Sequence, residues 1–154
     1  MVYQLGTTSL KRLEGVHPDL IAVTKLALSI SKQDFMVVEG VRSLAQQQKY
    51  VSKGVSKTLR SRHLTGHAVD VVPWVSGAAL WNDEAKFTVI AESFLQAAKL
   101  LNIEILWGRS WNLALNYHSS AEEALSSYLF DCKKRNKSPF LDGPHFQLTW
   151  KNYP

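Results

Sequence analysis

Ser61-Arg62-His63-Leu64-Thr65-Gly66-His67-Ala68-Val69-Asp70-Val71-Val72 decides how this chain folds. It runs from a polar, basic loop through a glycine into small and β-branched residues, the pattern of a buried strand. The glycine permits a tight approach at the strand's entrance. Asp70 stands among Val69, Val71 and Val72, where an unpaired carboxylate would be costly to bury. A cation or several hydrogen-bond donors must meet it. His63 lies seven residues earlier and is a candidate for the same site. On spacing alone such a pair also fits an ordinary structural contact, and the metalloprotease spacing HExxH is absent.

Upstream, residues 18–31 place Leu20, Ile21, Val23, Leu26, Ala27 and Ile30 near a 3.6-residue period, with Pro18 suited to a first helical turn. Phe35-Met36-Val37-Val38 reads as a buried strand ending at Glu39-Gly40. Ser43 is placed to cap a helix through Tyr50, which Gly54 closes. Residues 53–64 read as a loop. The central strand, 68–72, is expected to stop at Pro73. Downstream, Asn82 is the expected cap of a helix over 83–101, whose apolar face includes Phe87, Ile90, Phe94 and Ala98. Residues 103–107 alternate like a strand, 121–135 read as a helix, and 145–150 as a last strand. Helices and strands mix without βαβ alternation. The expected fold is α+β: a single domain over residues 1–154 with a mostly antiparallel sheet flanked by helices.

An apolar content of 45% over 154 residues suits one domain with its own core. No apolar run approaches the roughly 20 residues that cross a bilayer, so no membrane partner is expected. Met1-Val2-Tyr3-Gln4-Leu5-Gly6 lacks the basic and apolar regions of a signal peptide, which predicts synthesis in the cytosol. The lone cysteine, Cys132, excludes an internal disulfide and every Cys-rich zinc motif. Lys plus Arg exceed Asp plus Glu by 18 − 13 = +5, and this basic balance favours a polyanionic partner. Nucleic acid is disfavoured, because no helix-turn-helix, RNP-like or zinc-finger signature occurs. An anionic cell wall is the other such partner, and charge alone does not choose between the two.

A second segment, Asp142-Gly143-Pro144-His145-Phe146-Gln147-Leu148, has the same grammar as the first: a turn with a carboxylate, then a histidine opening a strand. His63, Asp70 and His145 together make a three-ligand set of the kind that holds catalytic zinc and leaves its fourth position open. Asp142, across a Gly-Pro turn from His145, is where a general base for the attacking water could sit.

Ser61-x-His63-x-x-Gly66-x-Ala68-x-Asp70 followed by Asp142-x-x-His145 resembles the motif pair of the D-alanyl-D-alanine carboxypeptidase and L-alanyl-D-glutamate endopeptidase family of zinc peptidases. That family shares its fold with the Hedgehog signalling domain. His17-Pro18-Asp19-Leu20, Val38-Glu39-Gly40-Val41-Arg42-Ser43, Trp81-Asn82-Asp83 and Trp107-Gly108-x-x-Trp111-Asn112 extend the resemblance, in particular to phage endolysins of the L-alanyl-D-glutamate type. The resemblance implies Zn²⁺ on His63, Asp70 and His145, with Asp142 as catalytic acid/base. It also implies that Arg42 lies near the metal, ready for an oxyanion or a substrate carboxylate, and that Ser61 makes a substrate or supporting hydrogen bond. Trp107 and Trp111 would line the groove or pack in the core. The implied activity is cleavage of the L-alanyl-D-glutamate bond in the peptidoglycan stem by a monomer acting on the wall, in the periplasm or outside. A D-alanyl-D-alanine carboxypeptidase or dipeptidase and a non-catalytic zinc-stabilised binding module are the alternatives.

The chain also departs from its relatives. Asp142 stands where many members carry Glu, which favours the phage branch. Gln147 stands where Glu often follows the metal histidine, and Ser110 where phage relatives often show Asp. Residues 118–140 are longer than the matching region of compact relatives and read as a helical insertion. His17, His67 and His118 are expected to be bystanders.

Overall fold

The computed structural model describes residues 2–154. Helix α1 (Thr7–Arg12) precedes α2 (Pro18–Ile30), strand β1 (Phe35–Glu39) and α3 (Leu44–Ser52). A 3-10 turn at Arg62–Thr65 leads into β2 (Ala68–Val75) and the short β3 (Ala78–Ala79). Then come α4 (Glu84–Leu101), β4 (Ile105–Trp107), a 3-10 turn at Leu115–Tyr117, α5 (Ala121–Lys134) and β5 (His145–Leu148). Local chemistry sets many of these boundaries. Ser43, Asp83 and Ser120 each accept an amide from the first turn of α3, α4 and α5. Among the described residues, no helix is long and apolar enough to cross a membrane.

The strands form one antiparallel sheet in the order β1-β2-β5-β4, with β3 hairpinned onto β2. Its two faces do different things. Val69 and Val71 from β2, Phe146 and Leu148 from β5, and Ile105 and Trp107 from β4 join the core under α2 and α4. Phe94 of α4 stacks on Phe146 at 3.8 Å between centroids, and Trp107 lies nearly parallel to Phe146 at 6.4 Å. Alternation along the strands sends Asp70, His145 and Gln147 to the opposite face.

The expected α+β, mainly antiparallel fold is what forms, with shifted boundaries. Strand β2 runs through Pro73 rather than stopping there. Phe35 and Pro73 face each other across β1 and β2, and the next bond comes from the Trp74 amide to the Asp34 carbonyl. Pro73 therefore sits at a position where no N–H is asked to reach β1. Asp83, not Asn82, caps α4, its carboxylate accepting the Lys86 amide. Strand β4 begins at Ile105 rather than at 103. There the Asn116 side chain takes the Ile105 amide and donates to the Ile103 carbonyl. Strand β5 ends at Leu148, after which Thr149 and Trp150 turn to pack against Arg62.

Candidate metal centre

Strand register brings the central groups together. Asp70 on β2 lies directly opposite His145 on β5, and Glu39 on β1 lies opposite Asp70 on its other side. Glu39 reaches that row because the β1 register shifts between Val37 and Glu39. Without this bulge Glu39 would share the core face of Val37. His63 comes from the preceding 3-10 turn. The Ser61 hydroxyl accepts the His63 amide, and Gly66 ends the turn at φ +74°. A side chain at Gly66 would also meet the backbone of Gly15, so glycine is required there twice over.

Each imidazole is oriented by a hydrogen bond on its far nitrogen. His63 Nδ1 donates to the Gly40 carbonyl at 2.8 Å, which leaves Nε2 bare and 3.2 Å from Asp70 Oδ1. His145 Nε2 donates to Gln147 Oε1 at 2.8 Å, which leaves Nδ1 bare and 3.3 Å from the same oxygen. The ligand atoms of His63, Asp70 and His145 all lie within 4.8 Å of one another. Two lone pairs facing a carboxylate oxygen repel unless positive charge lies among them. The same contacts shift the proton equilibria of these groups. Burial alone would raise Asp70, but the two imidazoles overcome it and hold the carboxyl well below its usual range. Burial alone would lower His145, yet its bond to Asp70 and the nearby carboxylates push it up. The donor set fits a metal ion that needs nitrogen and oxygen ligands.

The triad opens into a cleft of about 1100 Å³ that Arg42, Ser61, Trp111 and Asp142 also line. Asp142 sits in a tightly pinned turn. Its amide donates to the Gly108 carbonyl, its carbonyl accepts the His145 amide, and the Gly108 amide donates to the His145 carbonyl. Burial and then the charge of Asp70 push the Asp142 carboxyl above its usual range. Arg42 is held by both Glu39 oxygens at 2.5 and 2.8 Å and by Gln47 Oε1 at 2.6 Å. It stands 3.6 Å from Asp70 Oδ2 with two of its five N–H groups left over. Trp111 lies against His145, with ring centroids 5.1 Å apart.

Of the two places expected for Trp107, groove or core, it takes the core and does not line the cleft. It is fully buried, and its indole N–H donates to the Gly143 carbonyl, bracing the Asp142 turn from the core side. His17 accepts the Asp19 amide at the start of α2, and His118 pairs with Glu123; neither belongs to the triad. His67, inside the motif, bonds Thr65. Sequence reasoning missed Glu39 as the anchor of Arg42, although the acid three residues before the arginine was a usable signal. It also missed Arg62, which has little exposure. Its guanidinium donates to the carbonyls of Leu148, Thr149 and Tyr153 and lies 4.0 Å over the Trp150 ring. One cation thus ties the C-terminal turn to the loop that carries His63.

Known proteins bear on this geometry. Residues 1–149 match the family model described as phage L-alanyl-D-glutamate peptidase. An L-alanyl-D-glutamate peptidase of Escherichia phage T5 is 36% identical over 121 residues, covering 77% of this chain and 88% of that protein. One of Listeria phage A118 is 29% identical over 124 residues, covering 78% of this chain and 32% of its relative. The crystal structure of Serratia marcescens L-Ala D-Glu endopeptidase ChiX superposes with a TM-score of 0.74 at 40% identity, covering 97% of this chain and 93% of that one. The chain belongs to the phage L-alanyl-D-glutamate peptidase family.

Proposed function

We infer that this chain is a zinc-dependent peptidoglycan endopeptidase that hydrolyses the bond between L-alanine and D-glutamate in the stem peptide. The observation that carries the reading is the convergence of His63 Nε2, Asp70 Oδ1 and His145 Nδ1 at one point of an open cleft. A zinc ion held by these three would supply a Lewis acid for the scissile carbonyl and would lower the pKa of the attacking water. The residues do the rest. The Asp142 carboxylate takes a proton from the attacking water and returns it to the leaving amine, so the cut yields a new carboxylate and a new amino terminus. Burial suits Asp142 to this exchange, because it brings the carboxyl closer to neutral pH. The spare N–H groups of Arg42 are available to a developing oxyanion. Trp111 walls one side, and Ser61 holds the loop that presents His63.

The site is complete within one copy, which fits action as a monomer. Residues 1–154 serve as one catalytic domain, with 118–140 as a helical insertion. Made in the cytosol, the protein meets its substrate at the wall, and a net charge of +5 favours an anionic wall. The test is digestion of purified peptidoglycan followed by mass spectrometry. Fragments ending in L-alanine, with new D-glutamyl amino termini, support the reading. Freed D-alanine or its dipeptide points to the carboxypeptidase alternative, and absence of any cleavage points to a binding module. Asp142→Asn should abolish turnover, by about 10²-fold or more, while keeping the metal.

A further inference from the structure

Four cationic side chains line the cleft: Arg42, Lys57, Arg60 and Arg62. Two are committed inside the protein, Arg42 to Glu39 and Gln47, and Arg62 to three backbone carbonyls. The other two have no such partner. Among the described residues, neither Lys57 nor Arg60 pairs with a carboxylate, and neither side chain donates a hydrogen bond. Each rests over an aromatic ring instead. Lys57 Nζ is 4.9 Å from the centre of Phe140, and Arg60 Cζ is 5.7 Å from the centre of Trp150. Such a contact is worth only about 0.5–1 kcal/mol at an exposed site, less than a charge-assisted bond to a carboxylate.

The ring facing Lys57 is firmly placed. The Phe140 amide donates to the Tyr128 hydroxyl on α5, and the Phe140 carbonyl accepts Trp111 Nε1–H at 3.0 Å. Trp111 in turn stacks on Phe140 and lies against His145. Helix α5, otherwise without a role in the site, thus fixes an aromatic wall that runs from Lys57 to the metal triad.

We propose that Lys57 and Arg60 form a carboxylate-binding subsite of this cleft, which takes the free carboxylate that D-glutamate keeps beside the scissile bond. The inference rests on the endopeptidase reading above. A glutamyl residue closes its next peptide bond through one carboxyl and retains the other as an anion. The residue just past the cut therefore carries a negative charge for the two cations to meet, with Phe140 and Trp150 beside it.

Two synthetic muramoyl peptides test this, one with the free glutamyl carboxylate and one with that group converted to its amide. The wild type should favour the carboxylate peptide by about tenfold or more in kcat/KM, mainly through KM. In the double variant Lys57→Gln, Arg60→Gln this preference should fall to within about twofold of one. Both side chains are on an exposed loop, so melting temperature and metal content should match the wild type. A wild type indifferent to amidation overturns the subsite, as does a double variant that keeps the preference. A wild type that cuts neither peptide overturns the endopeptidase reading itself.

Discussion

Replacing Gly108 by alanine should disable the enzyme without emptying its metal site. A Cβ at this position would stand 2.9 Å from the Asp142 carbonyl carbon and 3.0 Å from its Cβ, and nearer still to its carbonyl oxygen. Ordinary contact begins near 3.4 Å. The turn must therefore retreat by at least 0.5 Å measured from that carbon, and by more from the oxygen. It cannot do so freely, because Asp142 N–H to Gly108 O and Gly108 N–H to His145 O, both 2.8 Å, hold the two backbones together. A shift of about 1 Å at a catalytic group costs about 10²-fold in rate. Straining or losing the two bonds should cost about 1–2 kcal/mol of stability. The assay is release of amino termini from peptidoglycan, run beside thermal melting and metal analysis. Gly6→Ala is the control, since a Cβ there meets nothing within 4 Å. A folded Gly108→Ala protein within about threefold of wild-type turnover would refute the claim that the Asp142 turn must be held where it is.

Other consequences can be measured independently. Gln147→Leu removes the acceptor that fixes the His145 tautomer and should weaken metal binding by about 10–100-fold in a chelator competition, whereas Gln147→Glu should tighten it. Arg62→Met strips three carbonyls of their donor and should lower stability by about 2 kcal/mol in urea unfolding. Burial, and then the bond to Asp19, push the Tyr153 hydroxyl up to about 12. Because the folded pKa is raised, this contribution is intact below pH about 10 and is lost as pH rises through about 12. Tyr153→Phe should therefore flatten the alkaline fall of the melting temperature between those values.

Much of the fold could be read from local signals, because those signals are local in origin. Ser43 caps α3 as its position suggests, and Pro18 opens α2. Pro73 misled because whether a proline breaks a strand depends on which neighbour its missing N–H would face, and that is set by β1, far away in sequence. Asn82 and Asp83 are adjacent acceptors, and only the approach to α4 selects the second. For the site, two motifs held the residues of the triad, yet their meeting depends on the pairing of Asp70 with His145 across β2 and β5. The role of Trp107 turned on strand parity. As the β4 partner of Phe146 it joins the core side, and Leu106 takes the cleft side. Phe140 and Arg62 act through long-range contacts that no spacing rule encodes.

The central claim is that one ion is gripped by His63, Asp70 and His145. Elemental analysis of extensively dialysed protein tests it most directly, with wild type measured beside His145→Ala. The account predicts about one zinc per wild-type chain and near-complete loss in the variant, with activity following the metal. A metal-free wild type that still cleaves peptidoglycan at full rate, or a His145→Ala protein that keeps its zinc, would contradict it.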